Sequence, residues 1–365
     1  MRGEGVPLSA LGAFAYQIPT DAPESDGTFA WDSTTIVVIE VDAGGHTGLG
    51  YAYTHRSAAD VATQLLWPAI RRGDALATNG CWEAMRRAVR NVGAGGIAAS
   101  AIAAVDIALW DLKAKLLNVS LVDLLGAVRE RVPVYGSGGF TSYSTERLCR
   151  QLGGWAEAGI ARVKMKVGRD PEADGERVRA ARAAIGPDAG LMVDANGALT
   201  RKQALTAAAD FSESGTSWFE EPVTSDDIEG LRLIRDLAPA GMEIAAGEYG
   251  WTTPDFQRLL DAGAVDVLQA DATRCQGISG FLAVGALCAA RSLPLSAHTA
   301  PSLHLHPCCA LSALRDVEYF HDHVRIESML FDGAAVQHEG RIAPDRSRPG
   351  LGLELKRADA EPFRV

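Results

Sequence analysis

Long apolar runs are missing from this sequence: none approaches the roughly 20 uninterrupted apolar residues that a membrane-spanning helix needs. The opening stretch, MRGEGVPLSALGAFAYQIPT, holds neither an extended apolar core nor a small-residue cleavage site, so no secretory signal is expected. Cysteine is sparse. The six present (Cys81, Cys149, Cys275, Cys288, Cys308 and Cys309) form no CxxC and no metal-finger spacing, and most lie in apolar runs. They read as buried free thiols in a reducing compartment. Positive charge is also short: 35 Lys and Arg against 46 Asp and Glu leave a net charge of −11, which argues against nucleic acid as a partner. Together these absences point to a soluble, cytoplasmic protein. They leave room for an anionic small molecule, because a site can be cationic locally.

At 365 residues with 47% apolar content, the chain can bury a large core and exceeds the usual single-domain size. The first part alternates like an antiparallel sheet. LSALGAFAYQI is a strand, and TTIVVIEVDAGGHTGLGYAYT is a hairpin turning at Asp42–Gly45. Between them PTDAPESDGTFAWDS is polar and turn-rich yet carries Phe29 and Trp31, which suits a lid loop anchored by its aromatics. Helical patterns follow, among them the very apolar IAASAIAAVDIALWDLKAKLL, in which Asp106 and Asp111 read as interface hydrogen-bonders.

From Val132 the rhythm changes. VPVYGSGG, RVKMKVG, GLMVDAN, SWFEEP, EIAAGEY, DVLQADATRC, PLSAHTAP and VEYFHDH are eight short apolar runs separated by amphipathic helical patterns. Seven β–α alternations with short loops predict parallel strands with crossover helices. Eight strands suit a closed barrel, and no glycine-rich phosphate turn follows the first of them. The expected organisation is an α+β capping domain over residues 1–130, a modified TIM barrel of (β/α)7β type over 131–325, and a segment 326–365 returning to the capping domain.

A barrel carries its active site at the C-terminal strand ends. There the second strand delivers Lys164 and Lys166, two apart and so on one face. Repulsion between them, plus burial, is expected to lower at least one lysine pKa. The third strand gives Asp194 and Asn196, the fourth Glu220 and Glu221, the fifth Glu248, the sixth Asp271, the seventh His298 and the eighth Glu318. Asp194, Glu220 and Glu248 recur at intervals of 26 and 28 residues, about one β–α unit. Converging carboxylates repel unless a cation joins them, and an all-oxygen site suits Mg2+. Asp271 and His298 come from neighbouring strands, so the carboxylate can fix the imidazole tautomer and raise its basicity. His304, His306, His321 and His323 lack comparable partners and read as packing or rim residues.

The lysine pair in KMK, the DAN, the FEEP, the AGE, the DATRC and the SAH, in that order, resemble the mandelate racemase subgroup of the enolase superfamily. The resemblance covers essentially the whole chain, and Gln276 departs from it, standing where a small residue is common. It implies Asp194, Glu220 and Glu248 as magnesium ligands, Lys166 as base on one face, and His298 with Asp271 as base or acid on the other. Lys164 would neutralise the substrate carboxylate and a protonated Glu318 would hydrogen-bond it. Asn196, Glu221 and Trp31 are candidate substrate contacts. The implied chemistry is removal of the proton next to a carboxylate through an enolate. Return of a proton to the same carbon racemises or epimerises; loss of a β-hydroxyl gives a 2-keto-3-deoxy acid. Acid-sugar dehydration is favoured because the resemblance implies that it is common with this arrangement, and the polar Thr20, Asp21, Glu24, Ser25 and Asp26 of the lid suit a hydroxylated substrate. Cycloisomerisation of a hydroxy acid or lactone, a lysine Schiff-base aldolase and a silent barrel are the alternatives. The expected partner is a small carboxylate, and the chain is expected to form a homo-oligomer, dimer to octamer.

Overall fold

The computed structural model describes residues 5–365; Met1–Arg2–Gly3–Glu4, which open both the stretch in which no secretory signal is expected and the expected first domain, lie outside the described residues. Three strands come first, β1 (Ala10–Ser25), β2 (Ala30–Ala43) and β3 (His46–Tyr53), as an antiparallel sheet in chain order. Alternation sends Ile36, Val38 and Tyr51 to one face and Val37, Ile39 and Ala52 to the other, and all six are fully buried. The sheet is therefore covered on both sides. The β2–β3 turn is Gly44-Gly45 at φ +56° and +78°, the left-handed pair that a two-residue hairpin requires.

The segment expected as a lid loop is instead the far end of the β1–β2 hairpin. Pairing shifts at a bulge between Pro19 and Glu24, then resumes as Glu24↔Trp31 and Ser25↔Ala30. Asp26-Gly27-Thr28 form its tip, while Pro19, Asp21 and Pro23 stay in the flank, where the irregular pairing accommodates them. The tip lies on the barrel rim. A Cβ at Gly27 would come within 2.4 Å of the Ala195 carbonyl oxygen and 2.8 Å of that of Val167.

Helices α1 (Ser57–Val61) and α2 (Trp67–Ile70) flank a π-turn; α3 (Thr78–Ala88), α4 (Ile97–Leu116) and α5 (Leu121–Leu125) follow. The small residues of α4 let it lie almost on the backbone of β3: a Cβ at Gly50 would sit 2.2 Å from the Ala104 carbonyl oxygen. All eight expected barrel strands are present: β4 (Val132–Gly138), β5 (Arg162–Lys166), β6 (Gly190–Asp194), β7 (Thr216–Glu220), β8 (Glu243–Ala246), β9 (Val267–Ala270), β10 (Leu295–Ala297) and β11 (Leu314–Phe320). Successive strands are joined by α6 (Thr145–Glu157), α7 (Pro171–Ile185), α8 (Arg201–Glu213), α9 (Ile228–Leu237), α10 (Thr253–Asp261), α11 (Gly277–Ala290) and α12 (Pro301–Ala310). The strands pair in parallel, and β11 pairs with β4 to close the barrel. Inside, Tyr135, Met192, Trp218, Ala245 and Val267 form an apolar floor. Asp194 and Glu220 stand two residues beyond Met192 and Trp218, on the same faces.

After α13 (His321–Leu330) the chain adds the short strands β12 (Phe331–Asp332), β13 (Arg341–Ile342) and β14 (Glu354–Leu355) and the turn of helix α14 (Arg357–Ala360). Arg357 pairs with Glu40 at 2.5 Å, and the Val365 N–H donates to the Ala15 carbonyl at 3.0 Å. Asp106 accepts from Ser279 N and Oγ, tying α4 to α11. Gln276, at φ +67°, donates from Nε2 to the Ala94 carbonyl while its own carbonyl accepts from Trp82 Nε1, so this departure from the family pattern bridges barrel and cap. Among the described residues no helix is long and apolar enough to cross a membrane.

Asp111 is wholly buried and accepts from Leu49 N at 2.7 Å and Leu351 N at 2.6 Å, with the Lys115 ammonium at 2.7 Å. Asp111→Ala strands two buried N–H groups on separate segments and should cost about 2–4 kcal/mol, read as a fall of several degrees in the thermal midpoint.

Candidate active site

Strands β5, β6 and β7 and the turn after β8 raise their last side chains above the apolar floor. Asp194, Glu220 and Glu248 each offer a carboxylate oxygen within 4.8 Å of the others, and all are 3% exposed or less. Around them stand both lysines. Lys164 Nζ lies 2.7 Å from both Glu220 oxygens, 2.9 Å from Glu318 Oε1 and 3.5 Å from Asp194 Oδ2. Lys166 Nζ lies 2.5 Å from Asp194 Oδ2. Trp218 Nε1 donates to Glu220 Oε2 at 3.0 Å, so the floor helps to orient a carboxylate of the layer above.

His298 donates from Nδ1 to Asp271 Oδ2 at 2.8 Å, and Asp271 is held by the Thr273 N–H at 2.7 Å. His298 Nε2 lies 2.9 Å from Glu248 Oε2, an ion-pair contact without hydrogen-bond alignment, and 3.7 Å from Glu318 Oε2. Lys166, Asn196, Glu248, Asp271, His298 and Glu318 share one cavity of about 600 Å3 with Trp31 and the hairpin tip. Lys164 is walled off from it, only 1% exposed behind Glu220 and Glu318. Glu221 faces a neighbouring cavity of about 590 Å3 that also reaches Asn196. The oxygens Asn196 Oδ1 and Glu221 Oε1 are buried without hydrogen-bond partners, and both residues have positive φ, +46° and +36°.

Two expectations about charge are overturned. Burial opposes charging of each lysine, but Glu220 and Glu318 beside Lys164, and Asp194 beside Lys166, outweigh it and hold both ammoniums above their ordinary range. Opposite charges at 2.5–2.9 Å outweigh the lysine–lysine repulsion. Glu318 is ionised rather than protonated: burial works against its charge, and Lys164 and His298 pull it down to about 2. His298 is likewise charged. Burial disfavours the imidazolium, yet Glu248 and the Asp271 hydrogen bond raise it to about 10. Burial and the adjacent carboxylates push Glu220 and Glu221 the other way, above the usual carboxylate range.

The hairpin also departs from expectation. Of Thr20, Asp21, Glu24, Ser25 and Asp26, expected to make it polar toward the substrate, only Asp26 lines the cavity, where Thr28 and Ser33 join it; Asp21 faces Arg147 and His321. Glu24 lies behind Trp31, accepting its indole N–H at 2.8 Å. Three of the histidines read as packing or rim residues do have partners. His304 Nε2 accepts the Ala272 N–H at 2.8 Å, His323 stacks on Tyr53 and lines the cavity, and His321 pairs with Asp21. Arg274 escaped notice, although it stands three residues after Asp271 in the same DATRC motif. Its Nη1 donates to the Glu248 carbonyl at 3.1 Å and its Nε lies 3.7 Å from Asp271 Oδ2, bridging the carboxylate trio and the histidine pair.

Residues 17–126 match the mandelate racemase / muconate lactonizing enzyme N-terminal domain, and residues 146–360 match the enolase C-terminal domain-like family. The chain belongs to the mandelate racemase subgroup of the enolase superfamily. A mandelate racemase/muconate lactonizing enzyme-like protein from Rubrobacter xylanophilus superposes with a TM-score of 0.96 at 54% identity, covering 98% of this chain and 100% of that one. The 3,6-anhydro-alpha-L-galactonate cycloisomerase of Streptomyces coelicolor is 34% identical over 351 residues, 94% of this chain and 96% of the relative. The L-talarate/galactarate dehydratase of Salmonella typhimurium is 34% identical over 331 residues, 88% and 80% of the two chains. A structure of that dehydratase with Mg and L-lyxarohydroxamate gives a TM-score of 0.90 at 28% identity, covering 99% of this chain and 93% of that one. Members of this superfamily thus surround the chain on both sides of the dehydration–cycloisomerisation divide.

Burial, with Asp322 nearby, pushes the Glu24 carboxyl from 4.5 up to about 8, so the folded chain keeps a proton that the unfolded chain loses. Stability should therefore fall as pH rises from about 4.5 to 8 by this group's share, and stay reduced above that. Glu24→Gln keeps an acceptor for Trp31 and should flatten that fall. Thermal midpoints of both proteins across the same range check it: the advantage of the glutamine variant should grow toward pH 8.

Proposed function

We propose that this enzyme removes the proton alpha to the carboxylate of an acid sugar and expels the β-hydroxyl, giving a 2-keto-3-deoxy acid. The observation that carries the proposal is one cavity lined by a lysine on β5 and by a carboxylate-held histidine after β10, three strands apart around the barrel, beside three converging carboxylates. The dehydratase among the relatives supports it.

The residues present fit magnesium. Asp194, Glu220 and Glu248 each bring a carboxylate oxygen to within 4.8 Å of the others, and burial among neighbouring carboxylates pushes Glu220 above its usual range, a repulsion that a divalent cation would relieve. The donors are all oxygen, as a hard cation requires. When bound by Asp194, Glu220 and Glu248, Mg2+ would stabilise the negative charge that develops on the substrate carboxylate. Lys166 is the base, and it can accept a proton once the Asp194 charge no longer holds its own. Lys164 remains a fixed cation behind Glu220 and Glu318 and supplies positive potential to the substrate end of the site. His298, held charged and in one tautomer by Asp271, delivers its proton from Nε2 to the departing hydroxyl. The hairpin, with Trp31 and its tip on the rim, excludes water.

Lys166→Ala and His298→Asn should each lower kcat by about a thousandfold or more, measured by proton NMR in D2O with Mg2+ and a panel of acid sugars. A 3-deoxy-2-keto product establishes dehydration. Exchange of the α-proton with an intact skeleton establishes racemisation or epimerisation instead, and ring closure or opening without loss of water establishes cycloisomerisation. Addition of Mg2+ at about 100 times its Kd to chelator-treated protein should stabilise the fold by roughly 2.7 kcal/mol. Glu248→Gln should abolish that gain while leaving the protein folded.

A further inference from the structure

A carboxylate taken out of water needs a cation or several aligned donors, or its burial costs more than the rest of the ligand gains. The cavity is uneven in this respect. Its cations, Lys166, Arg274 and His298, all belong to the barrel, and each already faces Asp194, Glu248 or Asp271. Across from them, on the capping side, the wall is Thr28, Thr34, Thr35 and Thr54 with Trp31 and Tyr53. Among the described residues no lysine or arginine of the capping domain lines the cavity.

Two imidazoles line this end. The Nδ1 edge of His55 is taken up by Ser57, whose backbone nitrogen lies 3.2 Å away. His323 Nδ1 accepts the Ala300 N–H at 3.4 Å, and burial holds the ring neutral against Tyr53. Of the arginines outside, Arg169 contacts the Phe29 carbonyl, Arg147 pairs with Asp21 and Arg325 with Asp322, while Arg56 opens on a separate cavity with Gln17 and Val365. The charged group that the capping side does present is Asp26, whose Oδ1 accepts the Thr28 and Phe29 N–H groups. A second carboxylate there would meet an anion and uncharged hydroxyls. A polyhydroxy chain would meet groups that both donate and accept, and Thr34, whose Oγ1 already donates to Asp322 at 2.5 Å, is left to accept.

We propose that the substrate carries a single carboxylate, held at the barrel end, and a neutral polyhydroxy tail under the hairpin: an aldonic acid rather than an aldaric diacid. This rests on the acid-sugar chemistry proposed above and narrows it.

The test compares each six-carbon aldonate with the aldarate made by oxidising its terminal carbon, following α-proton loss by NMR in D2O with Mg2+. In every pair that reacts, the aldonate should have the higher kcat/KM, by on the order of 100-fold. Thr35→Arg and Thr54→Lys each place a cation at the capping end, and at least one of them should narrow that ratio tenfold. An aldarate used as well as or better than its aldonate by the native enzyme overturns the inference and leaves the acid-sugar chemistry standing. A ratio unmoved in both variants also counts against it. Silence with both members of every pair, while Mg2+ still raises the thermal midpoint, overturns the acid-sugar chemistry and the inference with it.

Discussion

The structure turns on the ion pairing of Lys164. A fully buried ammonium is unfavourable by itself, as is each carboxylate around it; removal of any one partner leaves an uncompensated charge in a dry barrel. Lys164 touches Glu220, Glu318 and Asp194 at once, so it joins residues from β5, β6, β7 and β11 into one electrostatic unit. Lys166, Arg274 and His298 extend that unit to Glu248 and Asp271. The barrel supplies the rigidity that keeps like charges close, and the convergence of Asp194, Glu220 and Glu248 gives a cation its place.

The cap completes this arrangement. A charged layer is withdrawn from water only where it is covered on both sides, and the β1–β2 hairpin lies over the open one. Its tip meets the strand ends backbone against backbone at Gly27, Val167 and Ala195. Trp31, set by Glu24 and packed edge-on against Phe140, fills the space between. Asp106, Asp111 and Gln276 do related work at the back of the cap, where buried acceptors and donors fix α4 and α3 against the barrel.

The barrel was legible because its signal is redundant: eight apolar runs, each ended by a polar residue, place Asp194, Glu220, Glu248 and Asp271 without any knowledge of packing. Pair geometry was less legible. Two lysines at i and i+2 announce repulsion, while the carboxylates that reverse it come from strands 28, 56 and 154 residues away. Glu318 misled for the same reason, since its neighbour Lys164 is distant in sequence. Turn-forming residues spread along the hairpin signal a loop in sequence, whereas in space the pairing shifts past Pro19 to Glu24 and resumes, so only Asp26-Gly27-Thr28 turn. The threonines of the cavity wall carry no motif, and only the fold reveals that Thr34, Thr35 and Thr54 face the site.

The apolar floor has a bearing on isotope traffic. Tyr135, Met192, Trp218, Ala245 and Val267 seal the barrel beneath the charged layer, so hydrons cannot leave by way of its lower end. A hydron that reaches the charged layer from a bound substrate would then pass to solvent only by way of the upper mouth, past the hairpin tip seated on the rim.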